Sequence, residues 1–218
     1  MNISNGRLHA VTKLTDGWTR FDWFVSYPIN NYNITFNIGK FAHFSDVYEG
    51  AEKLKLDYYI MPENLEKARK QFAQVKSMLA LKSILDLTPS PVMVTNLLKY
   101  PLLGMEHQSA VAYGNQYLNG VRGGSITDVG LLFDFIIIHK SALEWWGDSV
   151  TAKDIADMWI HESLATYAEP FFMEYQWDYD AAMKYFEGKK QEVCMTLMSL
   201  DRMEFIKRVL AICITEEV

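Results

Sequence analysis

The stretch from residue 131 to 169 constrains the fold of this chain more than any other. It opens with an apolar run over residues 131–138, passes through His139, and continues into a helical pattern over residues 155–167. On a helix, side chains four positions apart lie on one face, so His139 and position 143 are predicted to lie one turn apart. The stretch therefore predicts helices that carry polar side chains at a fixed spacing.

The spacing at His139 is that of a metal-binding motif, but the residues needed for its chemistry are missing. In zinc hydrolases that carry H-E-x-x-H, the two histidines bind one metal ion and the residue after the first histidine is the general base. Here the base position is Lys140 and the second histidine position is Leu143. Leu143 offers no lone pair, and an ammonium group near a dication disfavours binding of the metal. A lysine acts as a base only where it is held neutral.

Two longer motifs surround this position. After Leu143 the chain reads EWWGDSVT and then DMWIHESLATY, which contains Glu162, while GMEHQ lies upstream at residues 104–108. These motifs resemble those of the membrane alanyl aminopeptidase family, the gluzincin zinc aminopeptidases, whose core reads H-E-x-x-H-E-W-x-G-N-x-V-T followed by W-L-x-E-G-F-A-T-Y. The resemblance implies a thermolysin-like catalytic domain that removes amino-terminal residues from peptides by means of metal-activated water.

The resemblance also assigns roles to residues at the motif. It places His139 and Glu162 at two of the three zinc-ligand positions, with Leu143 at the remaining one and Lys140 at the general-base position. The family's catalytic tyrosine would fall near residues 213–214, where this chain has no tyrosine. A tetrahedral site that lacks one ligand binds zinc much more weakly. We therefore expect zinc to be weakly bound or absent and no catalytic residue to be intact.

Each of these residues also has a purely structural interpretation. His139 can be an ordinary helix histidine near a pocket, and Glu162 can be a solvated carboxylate or the ion-pair partner of Lys140. Four tryptophans are expected to belong to the core rather than to a substrate-stacking surface. They are Trp145, Trp146, Trp159 and Trp177.

The upstream motif contains the residues that the family uses to bind substrate. The resemblance implies that Glu106 holds the free amino terminus of a peptide, with Gly104 and Met105 in the same subsite. A carboxylate at the rim of a pocket binds an ammonium group by a charge-assisted hydrogen bond. The alternative is a glutamate at a strand edge that faces water. The sequence leaves both interpretations of Glu106 open.

The order of patterns along the chain predicts an α+β fold. Residues 7–44 show partial alternation of apolar and polar side chains, which is typical of β-strands. Pro62 then begins a helix in which apolar residues recur at helical spacing as far as Leu79. We predict that residues 1–60 are the end of an amino-terminal β domain and that residues 61–218 are a truncated thermolysin-like domain. The chain is expected to be a fragment that begins within a domain.

Two segments depart from the pattern of the family. Residues 81–99 contain Pro89 and Pro91 and have no regular period, and residues 194–218 match nothing expected after the zinc ligand Glu162. Both segments are compatible with translation from shifted reading frames, so we hypothesise frameshifts in a decayed gene. The second segment also contains an apolar stripe that is compatible with a helix. Sequencing the coding DNA tests the frameshift hypothesis.

Composition limits the partners of the chain. A net charge of -6 without a basic cluster argues against nucleic acid, and no apolar run is long enough to span a bilayer. The first residues do not form a signal-like segment, which predicts a cytoplasmic protein. Cys194 and Cys213 favour neither a disulfide scaffold nor a thiolate zinc site. Apolar faces left by an incomplete β domain are expected to promote self-association.

Three functional hypotheses follow from these patterns. The first is a degenerate zinc aminopeptidase homologue without catalysis. The second is a non-catalytic module that binds peptides with a free amino terminus through Glu106. The third is an active metallopeptidase with an unorthodox site that uses Lys140, against which Leu143 and the missing tyrosine both argue.

Overall fold

The computed structural model describes residues 1–50, 53–84, 95–96 and 103–198 of the chain. In the described residues six strands precede the first α-helix and three short strands lie between the second and third helices, so the predicted α+β fold is confirmed. The strands are β1 (Asn2–Ser4), β2 (Arg7–Lys13), β3 (Thr19–Phe24), β4 (Phe36–Ile38), β5 (Ala42–Glu49), β6 (Lys53–Ile60), β7 (Thr95–Asn96), β8 (Gly104–Met105) and β9 (Ala112–Tyr113). The helices are α1 (Leu65–Gln71), α2 (Gln74–Ile84), α3 (Phe135–Leu143), α4 (Trp159–Gln176) and α5 (Tyr179–Met198).

The first four strands form two antiparallel ribbons, in which β1 pairs with β4 and β2 pairs with β3. The turn between β2 and β3 contains Gly17 at a φ of +79°, a conformation that glycine adopts without steric cost. A separate sheet contains β5, β6 and β7, with β5 antiparallel and β7 parallel to β6. The β structure predicted over residues 7–44 is confirmed, and it continues into β6, which the sequence pattern did not indicate.

The helical part begins where the proline predicted it, with a 3-10 turn at Pro62–Asn64 that leads directly into α1. Proline suits this position because the first turn of a helix needs no backbone N–H donor. The single helix predicted here is divided into α1 and α2, with a break at Phe72. The Phe72 ring lies 5.5 Å from the Tyr58 ring and 5.1 Å from the Tyr113 ring, measured between centroids. The break therefore places an aromatic side chain in the core.

One apolar core joins the strands to the helices. Leu56, Tyr58 and Ile60 of β6 are buried in it, against side chains of α1, α2, α3 and α4. Burial of apolar side chains from both parts is the main force that holds them together. Because this core extends across residue 60, the two predicted domains share apolar contacts, and the boundary between them stays a prediction.

Polar contacts fix the start of α3, the helix that positions the site. Asp134 caps this helix by accepting a hydrogen bond from the backbone N–H of Ile136 at 3.1 Å. Its carboxylate also accepts hydrogen bonds from Tyr113 at 2.5 Å, Gln71 at 2.8 Å and Asn115 at 2.7 Å. Burial raises the pKa of Asp134 to about 6, while these hydrogen bonds act in the opposite direction. Side chains at the end of α1 and at the end of β9 thus anchor the helix.

The four tryptophans divide between core and surface. Trp145 is buried and Trp146 packs against the core, as predicted. Trp159 and Trp177 are 57% and 41% exposed, so the core prediction is wrong for these two. Both lie at the ends of α4, where the helix emerges from the packed interior.

The two atypical segments are described only in part. The backbone of α2 extends to residue 84, β7 spans residues 95–96, and α5 extends to residue 198. The rest of residues 81–99 and 194–218, including the predicted tail helix beyond residue 198, lies outside the described residues. Among the helices that the structure does describe, none is long and apolar enough to cross a bilayer.

Candidate functional site

His139 is buried on α3 between two glutamates of α4. Its Nδ1 atom lies 2.8 Å from Glu169 Oε1, and its Nε2 atom lies 2.8 Å from Glu162 Oε2. Glu162 and Glu169 are seven residues apart, so they lie two turns apart on one face of α4. The structure therefore brings the two predicted zinc-ligand residues, His139 and Glu162, into direct contact with each other.

These contacts hold His139 as a cation. Burial alone would lower the pKa of His139, but hydrogen bonds to Glu162 and Glu169 raise it to about 9. Burial would also raise the pKa of Glu162, but the hydrogen bond from His139 and the charge of Lys140 lower it to about 2. In an imidazolium both ring nitrogens are donors, and neither offers a lone pair to a metal. Glu162 is thus an ion-pair partner mainly of His139, whereas Lys140, the partner that its structural interpretation named, lies farther away at 3.9 Å.

Lys140 makes its closest charged contact with the glutamate of the upstream motif. Its Nζ atom donates to Glu106 Oε2 at 2.8 Å and lies 3.9 Å from Glu162 Oε1. Lys140 is 1% exposed and Glu106 is 3% exposed. The interpretation of Glu106 as a strand-edge residue that faces water is therefore wrong, because strand β8 lies against α3 and covers it.

Gly104 and Met105, the other two residues predicted to bind substrate, form β8 and are both buried. A Cβ atom at Gly104 would lie 2.9 Å from both Ala112 O and Ile136 Cγ2, and 3.4 Å from Lys140 Cγ. Distances this short leave no room for a side chain. Glycine at this position allows β8 to approach α3, and the predicted substrate-binding role stays a prediction.

The residues at the motif do not fit a zinc ion. A zinc site in this arrangement needs three protein ligands with free lone pairs. Leu143 is completely buried in the core and has none, while His139 and Glu162 are hydrogen-bonded to each other. Within the part of the chain that the structure describes, no group of three or more His, Cys, Asp or Glu side chains is placed to hold a metal ion.

Comparison of the chain with models of known protein families identifies the family to which it belongs. Residues 63–212 match the Peptidase family M1 domain. The chain belongs to peptidase family M1. The resemblance carried by the two motifs is confirmed, and the match includes residues 81–99 and the second atypical segment as far as residue 212. Solved members include zinc metallopeptidases, so membership implies zinc as the ancestral metal.

The solved structures similar to this M1 chain are longer peptidase chains, of which this chain spans 21% to 38%. Aminopeptidase A from Legionella pneumophila, solved in complex with aspartic acid, has a TM-score of 0.69 at 21% identity over 80% of this chain and 21% of its own. An M1 zinc metallopeptidase mutant from Deinococcus radiodurans, bound to a Tyr-Ser-Ala substrate, has a TM-score of 0.59 at 20% identity over 81% of this chain and 38% of its own. These similarities show the shared fold. Among curated proteins no match was found.

Two more acids lie beside this M1 site, and the sequence analysis did not predict them. Glu144 accepts hydrogen bonds from the backbone N–H of Ser109 through both carboxylate oxygens, at 2.9 and 3.1 Å. Asp148 accepts a hydrogen bond from Asn33. Burial, and then the charges of Glu144 and Glu106, raise the pKa of Asp148 to about 10. A sequence signal for Asp148 was present, because the M1 pattern has asparagine at that position.

Glu169 is a further site residue that the sequence analysis missed. Its carboxylate accepts a hydrogen bond from the hydroxyl of Tyr185 and lies 3.5 Å from Lys189 Nζ, in addition to its contact with His139. Burial and the charge of Glu169 raise the pKa of Tyr185. The seven-residue spacing from Glu162 was the signal that could have found it, since that spacing repeats a helix face.

His161 directly precedes Glu162 in the chain, but its hydrogen bond is to a different part of the molecule. Its Nε2 atom accepts a hydrogen bond from the backbone N–H of Ala152 at 2.6 Å. Burial lowers the pKa of His161. This hydrogen bond joins His161 of α4 to the segment that precedes the helix.

Proposed function

We propose that this chain is a catalytically inactive M1 homologue. The observation that supports the proposal most is the burial of Lys140 at the general-base position and of Leu143 at a ligand position, at 1% and 0% exposure. Leucine cannot coordinate a metal, and a lysine ammonium beside the site repels a dication. The chain then retains the aminopeptidase scaffold without the groups that activate water.

Lys140 is a poor candidate for a replacement base. A general base must offer a lone pair to the proton that it removes. The Nζ atom of Lys140 instead donates to Glu106 at 2.8 Å, and an adjacent carboxylate favours the charged form of an amine. The position of the catalytic tyrosine, near residues 213–214, lies outside the described residues and contains no tyrosine. An unorthodox peptidase that uses Lys140 therefore gains no support.

A peptide-binding module would require an accessible carboxylate at Glu106. That carboxylate is 3% exposed and already accepts a hydrogen bond from Lys140. The arrangement does not favour capture of a peptide amino terminus by the wild-type chain. Titration with a peptide that has a free amino terminus, beside its acetylated counterpart, tests this directly. Tighter binding of the free peptide would favour the module over an inactive homologue without a ligand.

The experiment that tests inactivity measures zinc by elemental analysis after dialysis. Wild type is compared with the repair variant Lys140→Glu/Leu143→His, which restores the H-E-x-x-H residues. We expect no zinc in wild type and about one zinc per chain in the repair variant. The control variant Lys140→Gln/Leu143→Phe changes the same positions and adds a ring without a nitrogen, so it should hold no zinc.

Stoichiometric zinc in wild type would contradict the proposal. Chelator-sensitive release of amino-terminal residues from aminoacyl reporter substrates by wild type would contradict it as well. Zinc in the repair variant alone would support both the M1 ancestry of the site and its present loss of metal. If both wild type and the repair variant lack zinc and circular dichroism shows that both are folded, then zinc binding requires more than the residues at positions 140 and 143.

A further inference from the structure

A groove with apolar walls lies between α4 and α5. It has a volume of about 240 Å³ and is lined by Tyr167 and Phe171 of α4, by Tyr179, Met183 and Phe186 of α5, and by Glu174. Tyr167 is 52% exposed and Tyr179 is 61% exposed. Large apolar side chains that line a concave surface are typical of a place that another element or molecule covers.

The groove is part of a longer apolar stripe along α4. Exposed apolar side chains recur on this helix at Ile160, Leu164, Tyr167 and Tyr175. Residues at these spacings share one face of a helix, and this face extends over about 23 Å. Another face of α4, which includes Ala165 and Phe172, is already buried in the core. The exposed stripe therefore indicates a further packing partner for α4.

The direction of α5 determines where the chain continues. Helix α5 follows α4 after residues 177 and 178, and Glu169 of α4 contacts both Tyr185 and Lys189 of α5. The two helices therefore lie side by side and run in opposite directions. Because both advance by the same rise per residue, Met198 at the end of α5 returns to the amino-terminal end of α4.

The sequence after Met198 has the pattern of one more amphipathic helix. Residues 199–218, which we call the tail, lie outside the described residues. Asp201 followed three positions later by Glu204, just before an apolar run, is the signature of a helix start. Apolar residues then recur at helical spacing at Met203, Ile206, Leu210, Cys213 and Ile214. A helix from Asp201 to Ile214 would be about 20 Å long, which is close to the length of the exposed stripe.

We propose that residues 201–214 form a helix that packs in the groove, parallel to α4 and antiparallel to α5. A start beside the amino-terminal end of α4 places Leu210 near Tyr167 and Cys213 near Phe171, because the two helices advance equally per residue. Burial of the two apolar surfaces against each other stabilises this arrangement. The inference goes beyond the proposed function, since it concerns what covers the scaffold and involves neither metal nor catalysis.

A second copy of the chain is the competing occupant of the groove. The tail has the advantage because it is covalently attached to the end of α5, so its effective concentration at the groove is high at any protein concentration. A second copy gains only when the protein is concentrated. The two occupants therefore predict different products when cysteines in the groove and in the tail are oxidised.

The test places one cysteine in the groove of the full chain. The background Cys194→Ser leaves Cys213 as the single native thiol. Glu174→Cys adds a thiol at an exposed position in the groove, within about one turn of the level expected for Cys213. A disulfide requires Cα atoms within about 7 Å, so it reports close approach. We expect oxidised glutathione to produce a disulfide within one chain between positions 174 and 213.

Glu187→Cys in the same background is the matched control. Glu187 is also exposed, but it lines a different depression, beside Thr127 and Asp128. We expect the disulfide from position 174 to form about tenfold faster than the one from position 187, because only the groove holds the tail in place. Peptide mapping and non-reducing electrophoresis identify the products. Equal rates at the two positions, or a disulfide from position 174 mainly between two chains, would overturn the inference.

A second measurement follows the apolar surface itself. Leu210→Asp places a charge on the apolar face of the tail, and Ala211→Asp places the same charge beside Glu204 and Arg208 on the polar face. We expect Leu210→Asp to raise several-fold the fluorescence of a dye that binds exposed apolar surface, and Ala211→Asp to leave it unchanged. An equal signal from both variants would contradict a tail that covers the groove.

The two measurements do not depend on each other. If Leu210→Asp does not fold, as judged by circular dichroism, the comparison of disulfide rates decides alone, because Glu174 and Glu187 are exposed and their replacement leaves the tail unchanged. Neither measurement involves zinc or peptide hydrolysis.

Discussion

At Gly104 the backbone of β8 lies close against side chains of α3. We expect Gly104→Ala to lower the free energy of unfolding by about 1–3 kcal/mol, because a Cβ atom 2.9 Å from Ala112 O and Ile136 Cγ2 forces its neighbours to shift. Denaturant titration measures the loss. Gly124→Ala is the matched control, since the nearest atom to its Cβ, Val121 O, would lie at 3.4 Å. Equal losses in the two variants would contradict the prediction.

Asp148 should make the stability of the protein depend on pH. Burial, followed by the charges of Glu144 and Glu106, raises the pKa of Asp148 to about 10 in the folded state. The folded state therefore binds this proton more tightly than the unfolded chain, in which an aspartate has a pKa of about 4. The stability that this proton contributes is complete below pH ~4 and is lost progressively as the pH rises toward about 10.

The variant Asp148→Asn replaces the titratable carboxyl group with a neutral amide and restores the residue type of the family pattern. We expect its free energy of unfolding to rise relative to wild type by on the order of 1 kcal/mol per pH unit between about pH 5 and about pH 8. Urea unfolding at several pH values measures the difference. Asp157→Asn, at an exposed position, is the control. Parallel pH profiles for wild type and Asp148→Asn would show that this carboxyl group is ionised in the fold.

The motifs named some of the residues that the structure brings together, but Glu144, Asp148 and Glu169 were missed and the pairing was not predicted. The resemblance to the family motifs placed His139 and Glu162 at one site, and the two side chains are in contact. Glu106 was not expected to be the main partner of Lys140, because the two residues are 34 positions apart in the chain. Whether Lys140 reaches Glu106 or Glu162 depends on how closely β8 approaches α3, and no local pattern reports that distance.

At the scale of elements, α4 is joined to α3 by two acids that share one imidazole. We expect Glu169→Ala to lower the free energy of unfolding by about 3–5 kcal/mol, because it leaves the Nδ1 N–H of the buried cation His139 and the Tyr185 hydroxyl without an acceptor, while Glu162 still accepts from Nε2. Glu187→Ala on α5 is the control, since its 3.6 Å ion pair with Lys190 is exposed and should contribute at most about 1 kcal/mol. Denaturant titration of both variants measures the two losses, and similar values would contradict the prediction.

Two elements could not be predicted because their interior residues hide the usual pattern. Strand β6 contains a buried acid, Asp57, which pairs with His43 and Lys55 at 2.8 Å each. An acidic residue at a buried position interrupts the alternation of apolar and polar side chains, so the sequence pattern did not predict β6 as a strand. The break between α1 and α2 was hidden for the opposite reason, because Phe72 continues the helical spacing of apolar residues although its backbone leaves the helix.

At the scale of the whole molecule, apolar surface is concentrated on the amino-terminal ribbons. Trp18, Phe36 and Ile38 are 73%, 73% and 75% exposed. Exposed apolar side chains beside open strand edges favour association. We expect the average mass by light scattering to rise with protein concentration, and Phe36→Lys/Ile38→Lys to reduce that rise. Ile155→Lys, which changes a residue 70% exposed on the helical side, should leave the rise unchanged.

The fold class followed from the motifs, but the placement of the amino-terminal segment did not. Asn5 donates a hydrogen bond to Gln108 O at 2.7 Å, and the backbone N–H of Gly6 donates to Ser109 Oγ at 2.7 Å. These contacts join residues 103 positions apart. Contacts at such separation depend on the complete tertiary arrangement, and sequence periodicity carries no information about them.

The buried lysine also restricts how this protein can evolve. Glutamate at position 140 alone would stand beside Glu106 and Glu162 without a cation, and histidine at position 143 alone would place a ligand next to the Lys140 ammonium group. An ammonium group in place of a carboxylate changes the local charge by the same amount as a Zn²⁺ ion. Under the proposed loss of metal, the charge of Lys140 takes the place of the charge of the ion, and a return by single substitutions must pass through a less stable or metal-free intermediate.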